Sequence, residues 1–255
     1  MKTAIIQFDT IWEDKLTNFN YVQNEVSSLS NDVDLVVLPE MFSTGFTMDP
    51  EKVAEFEDGE TFQFIANLAI TKQVAIAGSW VVKDNNAYFN RLFFVFPDGS
   101  YKTYNKRHLF TLAGEHNVYE PGNERLIVDY KGFKICLLIC YDLRFPVYSR
   151  IVNANYDVLI YVASWPERRI EAWDSLLKAR AIENMSYVIG VNRCGIDPTG
   201  VIYNGHSQVI DFMGKYLIEP VSNEQSLEVL LQIDTLKSAR DKFAFLNDAD
   251  NFEIT

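Results

Sequence analysis

The chain alternates between short unbroken apolar runs and longer stretches in which apolar residues recur at helical spacing. Ala4 to Phe8 is the first such run and reads as a strand buried on both faces. From Asp14 to Leu29, the residues Leu16, Phe19, Val22, Val26 and Leu29 form a helical stripe against a polar remainder. Asp34 to Leu38 is a β-branched strand closed by Pro39, which cannot donate to a ladder. Thr61 to Thr71 reads as a second helix and Val74 to Trp80 as the strand after it. This strand–helix–strand alternation predicts crossover connections over a covered sheet.

The middle of the chain changes texture. Ala87 to Phe96 is aromatic and β-branched, and the turn Pro97-Asp98-Gly99-Ser100 leads into Tyr101 to Asn105, which predicts an antiparallel hairpin. Leu126 to Tyr130, a Lys131-Gly132 turn and the run ending at Cys140 predict another. Asp157 to Ala163 is a further buried strand. Trp173 to Met185 is a helix with Trp173, Leu176, Leu177, Ala181 and Met185 on one face, and its spacing pairs Asp174 with Lys178 and Arg180 with Glu183. Tyr187 to Asn192, Ser207 to Phe212 and Leu227 to Ile233 are the closing strands, with a turn at Met213-Gly214. No linker-like tract or repeat interrupts the chain, so residues 1–255 are expected to form one domain. Residues 240–255, charged and aromatic, are expected to wrap over it or over a partner subunit.

Composition narrows the classes of function. With 48% hydrophobic and 23% charged residues, the chain has the material for a sizeable core. Its net charge of −12 argues against a nucleic-acid partner, which requires a basic face. No apolar stretch approaches membrane-spanning length, and the N-terminal Met-Lys-Thr-Ala-Ile-Ile enters a strand without an apolar leader. Three cysteines without disulfide-framework spacing fit a reducing compartment, so the expected location is the cytoplasm.

Three groups stand just past predicted strand ends: Glu40, Lys106 and Cys140. Gathered at one rim they would form a coherent machine. A thiolate serves as nucleophile with its pKa lowered by a neighbouring cation, and a carboxylate takes the thiol proton and later activates water. The lysine and the backbone N–H of Tyr141 stabilise an oxyanion. Spacing alone leaves other readings open. Cys140 could be a small hydrophobe finishing a strand, and Glu40 and Lys106 could be solvated surface groups. One of His108, His116 or His206 could pair with the cysteine instead. Cys136 shares strand parity with Cys140 but lacks partners at zinc spacing, so no metal site is expected.

The segments L-P-E-M-F-S-T-G-F around Glu40, Y-N-K-R-H-L-F around Lys106 and I-C-Y-D-L-R-F-P around Cys140 resemble the three signature blocks of the nitrilase, or carbon–nitrogen hydrolase, superfamily, in its order. A-S-W-P at 163–166, K-A-R-A-I-E-N at 178–184 and V-N-R-C-G at 191–195 extend the resemblance along nearly the whole chain. Within the superfamily these blocks are most similar to the ω-amidase branch, whose enzymes hydrolyse the terminal amide of 2-oxo dicarboxylic acid monoamides. The resemblance implies a four-layer α-β-β-α sandwich, no cofactor, and association through a helical face into at least a homodimer. It carries the nucleophile onto Cys140, the general base onto Glu40, the oxyanion-stabilising cation onto Lys106 and an additional orienting glutamate onto Glu115. Phe42, Tyr141 and Trp165 are expected to wall the pocket, and Arg144 is a candidate for a substrate carboxylate or a brace for the Cys140 turn. Ser164 departs from the Asn that many superfamily members carry before the tryptophan. Rival readings are an amidase for carbamoyl or deaminated-peptide substrates and a binding protein on the same fold.

Overall fold

A computed structural model describes residues 1–152, 155–250 and 252. In chain order its strands are β1 (Lys2–Gln7), β2 (Leu35–Val37), β3 (Ala75–Asp84), β4 (Ala87–Val95), β5 (Tyr101–Asn105), β6 (Leu126–Tyr130), β7 (Phe133–Ile139), β8 (Val158–Ala163), β9 (Tyr187–Asn192), β10 (Cys194–Ile196), β11 (Ile202–Asn204), β12 (Ser207–Ile210), β13 (Tyr216–Val221) and β14 (Gln225–Leu230). The helices are α1 (Lys15–Ser28), α2 (Pro50–Val53), α3 (Glu60–Lys72), α4 (Pro146–Ser149), α5 (Ile170–Asn184) and α6 (Ile233–Phe243).

Two six-stranded sheets result, ordered β14-β1-β2-β3-β4-β5 and β13-β12-β9-β8-β7-β6. In each, three successive members run parallel, β1 to β3 in one and β7 to β9 in the other, with antiparallel strands completing the edges. The unbroken apolar runs follow from this burial on both faces. Ala4 and Ile6 of β1 pack outward with Phe19, Val22 and Val26 of α1 and Ile65, Leu68 and Ala69 of α3. Ile5 between them joins Leu35, Val37, Leu92 and Phe94 in the core shared with β7, β8 and β9. On the far side α5 lies so close to β9 that a Cβ on Gly190 would meet Leu177 Cδ1 at 2.5 Å. The layers are therefore α-β-β-α, as the resemblance implied.

Several expectations need correction. Leu16 points to solvent at 70% exposure, while Asn18 turns inward, donating to the carbonyls of Ile11 and Ser43. Asp174 does not pair with Lys178; it accepts from Gln208 and meets the His206 ring, and Lys178 lies over Tyr216. β13 and α6 lie outside the expected elements, β13 with residues only partly buried and α6 an amphipathic helix whose Leu236 is buried. Arg240 in α6 pins the C-terminal part to the body through Asp157 and the carbonyls of Tyr156 and Met185. The expected wrapping segment falls partly on residues 251 and 253–255, outside those described.

Candidate active site

Glu40, Cys140 and Ser164 sit just past the carboxyl ends of β2, β7 and β8, and Asn192 is the last residue of β9. Open α/β sheets gather ligand-binding residues at such strand ends. Lys106 follows β5, and its backbone N–H extends the ladder by donating to Asn90 of β4 at 3.0 Å. The chain then returns as a short 3-10 turn, Glu115–Asn117, that brings Glu115 back to Lys106.

Glu40, Lys106 and Glu115 are fully or almost fully buried. The Lys106 ammonium donates to Glu40 Oε1 at 2.8 Å and to both oxygens of Glu115 at 2.9 Å, which engages all three of its N–H groups. Burial opposes the charge on Lys106, but the flanking carboxylates of Glu115 and Glu40 outweigh it and hold the ammonium above its ordinary value. Burial pushes the Glu115 carboxyl up, and Lys106 pulls it back. Glu40 is fixed by two further donors, Asn90 Nδ2 at 2.7 Å on Oε1 and the Ser164 backbone N–H at 2.8 Å on Oε2.

Cys140 opens the turn after β7 in the left-handed region, at φ 43°. A residue with a Cβ is strained there, by about 1 kcal/mol or more, and stays only where its surroundings fix it. Asp142 supplies that fixation. Its buried carboxylate accepts from the Ile139 N–H at 2.9 Å, the Tyr104 hydroxyl at 2.7 Å and the His108 N–H at 3.0 Å, and meets the His108 ring at 2.7 Å. Arg180 of α5 adds a bond to the Leu143 carbonyl at 2.7 Å from beneath.

The thiol differs from expectation. Burial pushes the Cys140 pKa well up, and the nearby Glu40 anion adds to this, while Lys106 opposes it without prevailing. The cation therefore does not by itself lower the thiol pKa, contrary to the expectation. Proton transfer to Glu40 then has to accompany attack.

Cys140 and Lys106 open onto a cavity of about 480 Å³ that also exposes Phe46, Phe110, Tyr141, Arg144, Trp165 and Arg169. Tyr141, Arg144 and Trp165 thus stand where a wall was expected. Phe42 does not: it is fully buried in the outer core of the first sheet, edge-on to Trp80, and Phe46 takes the wall position, 5.1 Å from the Lys106 ammonium. The Arg144 guanidinium lies 5.0 Å from the Trp165 ring and that of Arg169 lies 4.9 Å from Phe110. Trp165 is held by Asn192, whose amide brackets its backbone at 2.7 and 2.9 Å. His108 reaches the Cys140 turn through Asp142, and His206 is tied to Asp174.

Nothing in the local sequence pattern marks Asn90, Asp142 and Asn192 as site residues. Asn90 sits among aromatic residues of a hairpin, and only the folded sheet, which sets its amide 2.7 Å from Glu40 Oε1, gives it a role. Asp142 reads as the polar flank of a turn until its bonds to Tyr104, His108 and Ile139 are seen.

A model of the carbon–nitrogen hydrolase family matches residues 2–241. The chain is 37% identical to an omega-amidase, YafV, of Yersinia enterocolitica, over 99% of this chain and 98% of that protein. It is 31% identical to a 2-oxoglutaramate amidase of Bacillus subtilis, over 96% of each. A crystal structure of a carbon–nitrogen hydrolase superfamily protein from Xanthomonas campestris, described with an arsenic adduct in its active site, superposes with a TM-score of 0.98 at 38% identity, covering 100% of this chain and 99% of that one. Together with the sandwich and the buried Glu–Lys–Cys cluster, these likenesses establish that the chain belongs to the carbon–nitrogen hydrolase family.

Proposed function

We propose that the protein is an amidohydrolase that cleaves the terminal amide of small 2-oxo dicarboxylic acid monoamides, with 2-oxoglutaramate and 2-oxosuccinamate as its substrates. The observation that carries this reading is the buried Glu40–Lys106 pair held at 2.8 Å behind a cavity onto which Cys140, Lys106 and Arg144 all open. The similarity to an omega-amidase and to a 2-oxoglutaramate amidase supports the choice of substrate.

Cys140 gives its proton to Glu40 as the sulfur attacks the amide carbon. The developing oxyanion is taken by Lys106, which releases one of its donors from a glutamate, and by the Tyr141 backbone N–H. Glu40 returns the proton to the departing nitrogen, so ammonia leaves and a thioester remains. Water then gives a proton to Glu40 and attacks the thioester. The acid departs as the sulfur recovers its proton. Glu115 keeps the ammonium charged and aimed throughout.

The test is ammonia release from both 2-oxo amides, with Cys140→Ala as the blank. Release by wild type and none by a folded Cys140→Ala is expected. Turnover retained in that variant would sink the nucleophile. Silence on both amides together with turnover of a carbamoyl or deaminated-peptide amide would discard the substrate and keep the hydrolase. No turnover of any amide would favour a binding protein.

A further inference from the structure

Ten arginines occur in the chain, and among the described residues seven donate side-chain hydrogen bonds to a protein acceptor: Arg91, Arg107, Arg125, Arg150, Arg180, Arg193 and Arg240. The remaining three, Arg144, Arg168 and Arg169, all line the Cys140 cavity. Arg168 is exposed, but Arg144 and Arg169 are half-buried, each with its guanidinium over an aromatic ring, Trp165 for the first and Phe110 for the second. The indole N–H of Trp165 donates to the Arg169 carbonyl at 2.8 Å, which couples the two stacks. Arg144 lies close enough to Arg169 to disfavour its charge, an effect added to burial and to Arg168.

Two half-buried cations opening onto one cavity are unfavourable unless an anion joins them. The carboxylates lining the same cavity do not supply it. Glu13 is taken by Lys52 and Thr47, and Asp197 by Thr199, Val201 and Tyr203, while Asp49 is exposed to solvent. We propose that Arg169 is a specificity-determining residue that acts with Arg144 as a paired guanidinium site for the 2-oxo acid end of the substrate, admitting 2-oxo acids and rejecting their 2-amino counterparts. The inference rests on the proposed amidase reading for the placement of the amide at Cys140.

A planar carboxylate is satisfied bidentately by one guanidinium. The second guanidinium is left for a neighbouring acceptor, and the oxygen of a 2-oxo group is adjacent to the carboxylate. Arginine is a donor only. A 2-ammonium group would present donors and a positive charge to two guanidiniums, which have no acceptor to offer it. Recognition of the 2-oxo group thus follows from charge and donor type rather than from volume, since oxo and amino acids are nearly the same size.

The test reads binding independently of turnover, as protection of Cys140 from iodoacetamide, followed by mass spectrometry of the peptide containing it. The probes are 2-oxopentanoate and 2-aminopentanoate, which carry the acid end without a cleavable amide. Wild type is expected to be protected by the oxo acid at a concentration at least about tenfold lower than by the amino acid. Arg169→Gln should raise the half-protecting concentration of 2-oxopentanoate about 10- to 100-fold, leave that of 2-aminopentanoate nearly unchanged, and be partly rescued by Arg169→Lys. Equal loss for both probes, an unchanged value for the oxo acid, or no preference in wild type would each overturn the proposal. Intact protection with silent ammonia release would instead break the amidase reading alone.

Discussion

Asp142 and His108 are joined twice through one carboxylate oxygen, which accepts the His108 backbone N–H at 3.0 Å and meets its ring Nδ1 at 2.7 Å. The other oxygen accepts from Tyr104 and from Ile139. Tyr104 and His108 flank Lys106, and Ile139 precedes Cys140, so one buried side chain fixes the nucleophile turn relative to the segment carrying the cation.

Removing that carboxylate strands several buried donors at once. Asp142→Ala is expected to lower the unfolding free energy by about 3 kcal/mol or more. Asp142→Asn, which keeps one acceptor oxygen but turns an NH2 group toward the other donors, should fall between. Urea unfolding of both variants checks this, and wild-type stability in Asp142→Ala would contradict the role assigned to it.

Because burial and Glu40 raise the Cys140 pKa, its alkylation should keep accelerating with pH beyond the ordinary thiol range near about 8.5. The direction of two substitutions follows from the signs. Glu40→Gln removes an anion that disfavours the thiolate and should move the profile to lower pH. Lys106→Met removes a cation that favours it and should move the profile higher. Iodoacetamide rates between about pH 6 and about pH 10 decide the matter, and a profile below that of a free thiol would refute a protonated resting site.

Ser164 and Asn90 both touch Glu40, but through different atoms. Ser164 holds the carboxylate with its backbone N–H, and its hydroxyl makes only a 3.3 Å bond to the Glu40 carbonyl. Ser164→Ala should therefore cost less than about threefold in kcat on an amide substrate. Asn90 uses its side chain at 2.7 Å, so Asn90→Leu should cost about 10- to 100-fold. Steady-state kinetics on the two variants separate them. The reverse order would mean that the serine hydroxyl, not the main chain, matters at that position.

Cys136 lies on the face of β7 that looks toward α5, and burial there pushes its thiol up to about 12. The unfolded chain releases that proton at a lower pH, near about 8.5. Its contribution is thus fully present below that value and is lost as the pH rises toward about 12. Cys136→Ala should flatten the decline of stability above about pH 9, while lowering stability at neutral pH through the cavity it leaves. Thermal unfolding across that range measures the slope, and an unchanged slope would remove Cys136 from the alkaline response.

Local pattern made much of the architecture legible. The continuous apolar runs at β1, β2, β7 and β8 announce strands covered on both faces, because no side of them tolerates water. The stripes of α1 and α5 fix which residues face the sheets, with Leu16 an exception whose place Asn18 takes through two long-range bonds. β13 gives little local signal because its residues are only partly buried, whereas α6 is amphipathic but lies in a mostly polar stretch with one fully buried residue, Leu236.

Glu40, Lys106 and Cys140 are legible because each stands just past a predicted strand end, and the resemblance of their flanking blocks orders them. Tertiary structure alone decided the rest. Phe42 and Phe46 are four residues apart in similar company, yet one packs on Trp80 and the other faces Lys106. Asn90 and Asp142 acquire their partners only when β4, β5 and the turn after β7 come together. The state of the Cys140 thiol likewise depends on desolvation and on the balance of two opposite charges, neither of which exists until the chain is folded. Sequence determines which groups are available and which segments hide from water; the meeting of distant segments determines what those groups can do.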